Sequence, residues 1–445
     1  MKFYDTMWRN VWRLVFVVAI VIAGVTAYAQ PKTNSPFSRF GLGDVNSPNF
    51  VPVSSMGGIG AVYHNPYITN IVNPASLGFL KATSFEVAVA GKWGRLEKND
   101  FQEDIYSGNL QYLSLSIPVI NPINQILERK EVDLSGSINI SISPVSQVGY
   151  LIISGGDVDS VGTVGSIFRG QGGTNRLNLG TGWKYRGFAV GINLGYLFGA
   201  LEYQTLTDLT DDVDNAYNHL ARNNYTIRGF LYDLGGMYQY QLRKSKRQNL
   251  RNVTLGVHFN SATSFTGKDD YLNMVQSPVT GHSDTAEYRL GEPVDGRLPG
   301  KFGIGVMIEE NNRYKAGLTF TKSSWSKYEN SARPEQLKDT WRLAAGWAYT
   351  PDAVSITSYL KRVEYRAGGF YGTDFRTLDG EQASEYGVSI GMGFPFIQQR
   401  LFSYLNVSIE YGWRGVAESL KENYLRLKLG VNLNDTQWFI KRRYQ

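Results

Sequence analysis

Strict alternation of apolar and polar residues is the feature that most limits what this chain can fold into. The stretch YLRLKLGVNLN, residues 424–434, places one set of side chains on one side of an extended chain and a second set on the other. The first set is Leu425, Leu427, Leu429, Val431 and Leu433, and the second includes Arg426, Lys428 and Asn432. Successive side chains of a β-strand point to opposite faces, so a period of two indicates a strand. Similar runs recur, as from Phe188 to Phe198 and from Leu405 to Trp413. The chain is therefore predicted to be all-β.

The N-terminus predicts export. Basic residues precede an apolar run from Leu14 to Ala27, and Ala27-Tyr28-Ala29 then supplies small residues for cleavage. This is the pattern of a secretory signal peptide, so residues 1–29 are predicted to be removed. The alternative, a transmembrane anchor, is disfavoured because the run falls short of the ~20 apolar residues that span a bilayer.

Composition narrows the class of protein further. The chain has 48 Gly, 28 Tyr, 22 Phe and 9 Trp, and no cysteine. An exported chain rich in glycine and aromatic residues, with alternating segments, fits an outer-membrane β-barrel, and a secreted β-sandwich or solenoid is the alternative. The lack of cysteine excludes disulfides and thiolate metal sites. A mild formal net charge of +6, with both signs mixed, argues against a nucleic-acid partner.

About fourteen candidate strands can be counted between Ser84 and the C-terminus. The links between them alternate in length: Arg186-Gly187 is short, whereas residues 154–173 and 202–224 form long links. An even number of strands with alternating links is how a bacterial barrel crosses its membrane, with short turns in the periplasm and long loops outside. We therefore predict a signal peptide at 1–29, a plug at 30–83 and a transmembrane barrel at 84–445, with both termini periplasmic.

The membrane decides which side of each strand faces inward. An ionisable side chain facing the hydrocarbon would cost ~2 to 4 kcal/mol at mid-bilayer, so the polar sides are predicted to face the lumen. These lumen residues are Glu86, Arg176, Lys184, Asp233, Arg342, Glu364, Arg366, Glu410 and Arg414. We expect Glu364 to pair with Arg366 and Glu410 with Arg414, and a transport path is the alternative use of such charges. Trp438 and Phe439 are predicted to join the periplasmic aromatic girdle.

About fifty residues precede the first strand, and their apolar content predicts a plug rather than a solvated periplasmic tail. A fourteen-stranded lumen is also too wide for wall side chains to fill. Residues predicted to form this hatch and a ligand path along it are Gly57, Gly58, Gly60, Ile71, Asn73, Pro74, Ala75, Leu77 and Phe79. The glycines would let the backbone turn tightly or lie close to the barrel wall.

The stretch SSMGGIGAVYHNPYITNIVNPASLGFL, with Asn73-Pro74-Ala75 just ahead of the first strand, resembles the N-terminal hatch of the FadL/TodX family of outer-membrane channels. The segments SPFSRFGLGDV, GQGGTNRLNLGTGWKYRGFAVGINLGYLFGALEYQ, KRVEYRAGGFYG and WFIKRRYQ are similar to the Bacteroidota branch of that family. The resemblance implies a fourteen-stranded barrel with a hatch, through which an apolar ligand passes and leaves sideways beside a kinked strand. Ser143-Pro144 is the candidate kink, because proline withholds a ladder donor, and an ordinary bend is the alternative.

Two hypotheses for function follow. The first is a channel for passive uptake of small hydrophobic or amphipathic compounds, such as long-chain fatty acids or aromatic hydrocarbons, which predicts an apolar pocket between residues 59–80 and the wall. The second is a non-transporting barrel that docks to or plugs a protein secretion apparatus, as a distant similarity to PorV-type barrels implies. It predicts a sealed lumen and protein partners. The polar link TDLTDDVDNAYNHLARNN and the lack of an apolar surface hairpin favour the second hypothesis.

Enzymatic and metal functions are not expected. His258 is the only histidine within a clear strand, and no GxSxG serine accompanies it, so a hydrolase is disfavoured. The four histidines show no metal-ligand spacing. The predicted partners are thus membrane lipid, an apolar small molecule and, under the second hypothesis, secretion proteins, with no cofactor.

Overall fold

The structure is a computed structural model that describes residues 35–120, 133–158, 162–209, 218–242, 251–277, 282–310, 313–398 and 401–435. The predicted signal peptide and the girdle residues Trp438 and Phe439 lie outside these ranges. None of the helices within them has the length and apolar character needed to cross a bilayer.

The described strands form one antiparallel sheet that closes into a barrel. They are β1 (Asp44–Val45), β2 (Thr83–Lys98), β3 (Phe101–Pro118), β4 (Leu134–Val158), β5 (Gly162–Tyr185), β6 (Phe188–Leu209), β7 (Asn218–Leu242), β8 (Arg251–Asn260), β9 (Thr263–Gln276), β10 (Ser283–Leu298), β11 (Lys301–Glu310), β12 (Tyr314–Ser323), β13 (Glu329–Asn330), β14 (Thr340–Tyr349), β15 (Glu364–Leu378), β16 (Glu381–Gln398), β17 (Leu401–Gly415) and β18 (Lys421–Asp435).

The barrel wall consists of fourteen strands. Both β8 and β9 pair with β7, and β10 and β11 pair with them in turn, so each couple is one barrel strand with a two-residue break. The wall closes where β18 pairs with β2, from Lys421 opposite Glu97 to Asp435 opposite Thr83. The predicted fourteen-stranded antiparallel barrel is confirmed.

Alternation sets the two faces of the wall as predicted. On β18, Leu425, Leu427 and Leu433 are exposed on the outside, whereas Lys428 and Asn432 are buried inside. Two rings of exposed or half-buried aromatic residues bound this apolar surface. One contains the pairs Phe188 with Tyr238 and Tyr314 with Tyr349, and the other contains Tyr196 with Phe230 and Tyr386 with Trp413. We call the barrel end where β2 begins and β18 finishes the near end, and the other the far end.

Several strands continue well past the far ring. β4, β5, β6 and β7 have 25, 24, 22 and 25 residues, whereas about 10 suffice to cross a membrane. The prediction of long loops over 154–173 and 202–224 was therefore wrong for most of these residues, which lie in strands. Alternation weakens there because neither face of the extension has to contact lipid. The acidic residues at 211–214 lie outside the described residues.

Residues 35–82 occupy the lumen, which confirms the predicted N-terminal plug. The plug contains the 3-10 helices Pro36–Arg39 and Pro74–Phe79 and the short helix α1 (Val51–Ser54). It starts at the far end, where Phe37 packs with Leu96 and Ile105, and descends to β2 at the near end. Ser35 thus lies at the far end, whereas the sequence predicts the N-terminus at the end with the short turns. Residues 1–34, which precede Ser35, are not described.

Candidate functional site

Asn73 anchors the plug to the barrel wall. Its Oδ1 accepts a hydrogen bond from Ala75 N at 3.1 Å and so caps the 3-10 helix that starts at Pro74. Its Nδ2 donates to Ala61 O at 2.7 Å and to Val257 O on β8 at 3.0 Å. One side chain therefore ties the helix start, the upstream plug and the wall together, which explains an asparagine at this position.

A track of wall glycines receives the Asn-Pro-Ala segment. A Cβ at Gly182 or Gly191 would overlap the backbone of Pro74, and one at Gly235 would overlap the side chain of Asn73. These glycines lie on three neighbouring strands, β5, β6 and β7. Their missing side chains let the plug backbone touch the wall, a role that the sequence analysis did not assign to them.

The glycines at the turn of the plug have related roles. Gly57 adopts φ +71° and Gly58 φ +92°, conformations that favour glycine. Gly57 N also donates to Ser389 Oγ at 3.0 Å, and a Cβ at Gly57 would lie 2.6 Å from Gly369 O. Gly60 packs as closely against Val72. The predicted tight turn and close approach to the wall are both present.

The predicted hatch residues Ile71, Ala75, Leu77 and Phe79 are buried, but they do not line an apolar pocket. Ile71 packs with Phe50 and Tyr112, and Ala75 and Phe79 with wall residues of β6 and β7. This part of the plug is packed directly on the wall, and an apolar ligand pocket at 59–80 stays a prediction.

The space that remains in the lumen is polar. A cavity of about 210 Å³ lies on the far side of the plug turn, between residues 44–61 and strands β8 to β18. His258 and Thr319 line it and are buried, and their side-chain nitrogen and oxygen atoms have no hydrogen-bond partner in the described part of the chain. Lys301 and Arg342 add positive charge to the same cavity. Such a lining suits water or a small polar solute rather than an acyl chain.

A buried ion-pair cluster holds the start of the plug at the far end. Asp44 accepts hydrogen bonds from Arg414 at 2.5 and 2.9 Å and from Arg376 at 2.9 Å. Arg414 also donates to Glu422 at 2.6 Å, and Glu422 accepts from Ser35 Oγ at 2.9 Å. Although burial alone would raise it, the pKa of Asp44 is held well below its usual range, mainly by Arg414 and Arg376. We call Asp44, Arg376, Arg414 and Glu422 the latch.

Two predicted lumen pairs have different outcomes. Glu364 and Arg366 pair at 2.5 Å, as expected. Glu410 pairs with Arg426 at 2.8 Å, not with Arg414, so that expectation was wrong. Arg426 lies directly opposite Glu410 on β18, and a directly cross-strand residue is closer than one four positions along the same strand.

The other predicted lumen residues also contact the plug or each other. Glu86 accepts from Thr69 N at 2.7 Å, Arg176 pairs with Asp233 at 2.6 Å, and the Lys184 ammonium lies 4.2 Å from the Phe79 ring centre. Arg342 lies 3.6 Å over the Phe370 ring. All therefore face the lumen and stabilise its packing; a role in transport stays a prediction.

His64 of the plug is a structural residue. Its ring packs on Phe79 at 4.2 Å, and its Nε2 lies 3.1 Å from Gln239 Nε2. Burial lowers the pKa of His64 to about 4, so the ring is neutral at physiological pH. In the described ranges no group of three or more histidine or acidic residues could hold a metal ion.

The far end of the lumen is closed by an apolar core. Leu42 of the plug packs with wall residues that include Tyr225 and Phe265, and with Tyr328 and Leu337 from the 324–339 segment. Gly41 N donates to Glu335 on that segment at 2.5 Å. The plug is thus held to the wall at the near end by Asn73 and at the far end by the latch and this core, with the polar cavity between them.

The wall has a lateral seam between β3 and β4. Their ladder runs only from Leu113 opposite Ile142 to Pro118 opposite Ser137. Above Ile142, β4 has a bulge between Pro144 and Ser146, so the predicted irregularity at Ser143-Pro144 is present. The plug takes the place of β3 there: β1 pairs with Ser146 and Gln147.

Sequence reasoning missed the latch residues Asp44, Arg376 and Glu422. Asp44 lies in SPFSRFGLGDV, a segment singled out only for its resemblance. Its partner Arg414 is 370 positions away, and no local pattern reports so distant a pairing. The alternation of β17 and β18 placed the partner side chains inside, which was the only available signal.

Comparisons with known proteins agree with this fold. The model of the BamG family matches residues 11–445. The crystal structure of a Pseudomonas aeruginosa FadL homologue is similar with a TM-score of 0.57 and 12% identity, covering 88% of this chain and 99% of that one. The Pseudomonas putida toluene transporter TodX is similar with a TM-score of 0.54 and 15% identity, over 88% and 99%. At such identities the likeness establishes a shared fold. No curated protein matches the sequence.

Proposed function

Because this chain belongs to the BamG family, and because its plug is bound to the wall in both halves of the lumen, we propose that it is a non-transporting outer-membrane barrel that docks to proteins of a secretion or assembly apparatus. In this proposal the near end faces the periplasm and the far end faces the outside. The barrel then provides a rigid membrane-anchored surface rather than a pore.

Attachment of the plug to the wall in both halves of the lumen is the observation that carries the proposal. The near half holds a plug bound through Asn73 and the glycine track, and the far half holds the latch and an apolar core. Opening a path would break several buried hydrogen bonds and ion pairs together. A plug held by so many buried contacts would oppose frequent passage of a solute, whereas it suits a docking subunit, which needs a fixed shape.

An exposed apolar link at the near end supports a protein partner. Between β14 and β15, Val354 is 78% exposed, Ile356 99% and Leu360 64%. The link follows Tyr349 of the near aromatic ring and so lies beside the membrane rather than within its apolar band. Large apolar side chains left in contact with water at one place commonly mark an interaction site.

One observation favours a second candidate function, a channel for hydrophobic or amphipathic compounds. The seam between β3 and β4 interrupts the wall beside the plug, and the fold is shared with TodX, whose structure is that of a toluene transporter. A channel would require the plug to leave the β4 edge and the polar cavity to widen. Opening such a channel would require the ion pairs of the latch to break.

Gentle purification from outer membranes, followed by native mass spectrometry and lipid extraction, separates the two functions. The docking proposal expects a stoichiometric protein partner and no specific small apolar ligand. Ile356→Ser should weaken that partner's retention, whereas the control Ile308→Val, on the lipid-facing wall, should not. A co-purifying fatty acid or hydrocarbon without any protein partner would refute docking and support the channel.

A further inference from the structure

The part of β4 beyond the plug is an open strand edge. From Tyr150 to Val158, β4 pairs with β5 on one side, and in the described chain no strand pairs with its other side. The chain's own backbone already uses the lower part of this edge: Asn46 N donates to Val145 O at 2.9 Å and Ser35 N to Gly149 O at 2.8 Å. The edge thus already accepts backbone hydrogen bonds, and above Gly149 no described strand pairs with it.

This edge lies outside the membrane. Ile142 of β4 is level with Tyr196 of the far aromatic ring, through Leu177 of β5. Leu151 is nine residues further on, which corresponds to about 30 Å along a strand. Leu151 is nevertheless 57% exposed and Ile153 74% exposed. Lipid cannot account for apolar side chains at this height, so another apolar surface is the simplest partner for them.

The other edge of the same extension shows how an unused edge is protected. β10 carries register shifts between Thr285 and Glu287 and between Arg289 and Glu292. Arg289 forms ion pairs with both glutamates at 3.0 Å, and Pro293 follows. Bulges, charges and proline are the means by which proteins prevent pairing at open edges. The β4 edge, YLIISGG, has none of them: no charge, no proline and no bulge over residues 150–156.

We propose that the β4 edge from Tyr150 to Gly156 binds an extended segment of a partner polypeptide as an added β-strand. This inference rests on the proposed docking function and names the place of docking outside the membrane. Backbone hydrogen bonds would hold the added strand, and apolar side chains at alternate positions would pack on Leu151 and Ile153.

The seam selects a free segment rather than the edge of another folded sheet. Across from β4, residues 101–108 of β3 have no ladder with it either. A strand entering the base of the seam would lie between these two edges. A free extended segment can pair with an edge at this place, whereas a second copy of this barrel has its strands fixed in its own wall.

Photo-crosslinking in living cells tests the proposal. Benzoylphenylalanine replaces Leu151 or Ile153, and the matched control replaces Leu290, which is 68% exposed on the protected β10 edge. We expect crosslinks from 151 and 153, mapped by mass spectrometry, to fall on alternate residues of one partner segment, with little product from 290. Crosslinks to lipid, to a second copy, to residues 30–34 of the same chain, or with equal yield from 290 would overturn the proposal.

Proline substitution separates strand pairing from contact through side chains alone. The backbone groups of residues 145, 147 and 149 point toward the plug. This direction alternates along a strand, so the N–H of Ile153 points to the same edge. Ile153→Pro should lower the crosslink from position 151 by about fivefold or more, the effect of one backbone hydrogen bond, whereas Ile153→Val should change it less than about twofold. If the proline variant fails to give a folded, heat-modifiable barrel, Gly155→Pro repeats the test. An unchanged crosslink in a folded proline variant would overturn strand addition.

Native mass spectrometry tests the docking proposal independently of the crosslinks at the β4 edge. A partner that stays bound in native mass spectrometry while the β4 edge gives no strand-like crosslink would refute this inference alone. Absence of any protein partner would refute both proposals.

Discussion

Removing the Asp44 carboxylate should release the start of the plug from the latch. In Asp44→Ala, Arg414 and Arg376 lose three hydrogen bonds of 2.5 to 2.9 Å while remaining buried. Breaking a buried ion pair by removing one partner costs about 3–5 kcal/mol. Because Arg414 keeps Glu422 and Arg376 keeps Asp374, we expect the lower limit, about 3 kcal/mol, which is about a 100-fold change in the opening equilibrium.

The absence of cysteine makes this change directly measurable. Ser38→Cys introduces the only thiol of the chain at a fully buried plug position. Labelling of this reporter thiol by a thiol reagent then measures the fraction of time that residues 35–45 are detached, provided that closing is faster than labelling. All variants carry the reporter, so its own effect on stability cancels in the ratio of rates.

The control is an ion pair of the same chemistry on the surface. Asp104 and Arg95 pair at 2.9 Å with both side chains more than one-third exposed. Exposed pairs contribute roughly 0–1 kcal/mol, so Asp104→Ala should change labelling of the reporter thiol by less than about fivefold. If Asp44→Ala labels no faster than Asp104→Ala, the latch does not hold the plug and the reasoning is refuted.

Three further outcomes are expected. Since the folded pKa of Asp44 is depressed, its stabilisation exists above the unfolded value and is lost as pH falls through the folded one. The rate of labelling by a disulfide reagent, divided at each pH by the rate for a free thiol, should stay level from about pH 8 to 5 and rise only below about pH 4, and a rise of this ratio near pH 6 would contradict the reasoning. Gly191→Ala places a methyl group on the Pro74 backbone and should destabilise the plugged barrel by about 2–3 kcal/mol, seen as a lower temperature of heat modification, whereas Gly91→Ala, with nothing within 4 Å, should be near neutral. Asn73→Ala leaves three carbonyls and one N–H without their partner and should cost about 2–4 kcal/mol in the same assay; an unchanged transition would show that Asn73 is not an anchor.

The fold was predictable because lipid imposes one simple rule on every strand inside the membrane: apolar side chains face outward and polar side chains face the lumen. Leu425 and Lys428 could be assigned to opposite faces without any knowledge of their neighbours. Beyond the far ring the rule no longer applies, and the loop predicted at 154–173 is wrong for residues 154–158 and 162–173, which lie in strands. The plug was recognised from its apolar content, but its packing was not: the small wall residues at 182, 191 and 235 looked like ordinary strand glycines.

The candidate site was predicted less well for the same reason. Which residues face the lumen follows from alternation, as for Glu364 and Arg366. Which lumen residues meet depends on strand order, register and the path of the plug, and none of these is local. Asp44 and Arg414 therefore could not be connected, and the pairing of Glu410 was assigned to the wrong arginine.

The ladder between β18 and β2 constrains the order in which this protein can be assembled. It joins β18, the last described strand, to β2, the first wall strand, so the cylinder does not exist until β18 has been synthesised and inserted. Residues 35–82 run the whole height of the finished cylinder and pack against strands from all around it. A segment with so many wall contacts is far easier to lay on an open, curved sheet than to thread through a closed one. The plug is therefore better understood as the template around which the strands are wound than as a stopper added at the end, and pairing of β18 with β2 encloses it.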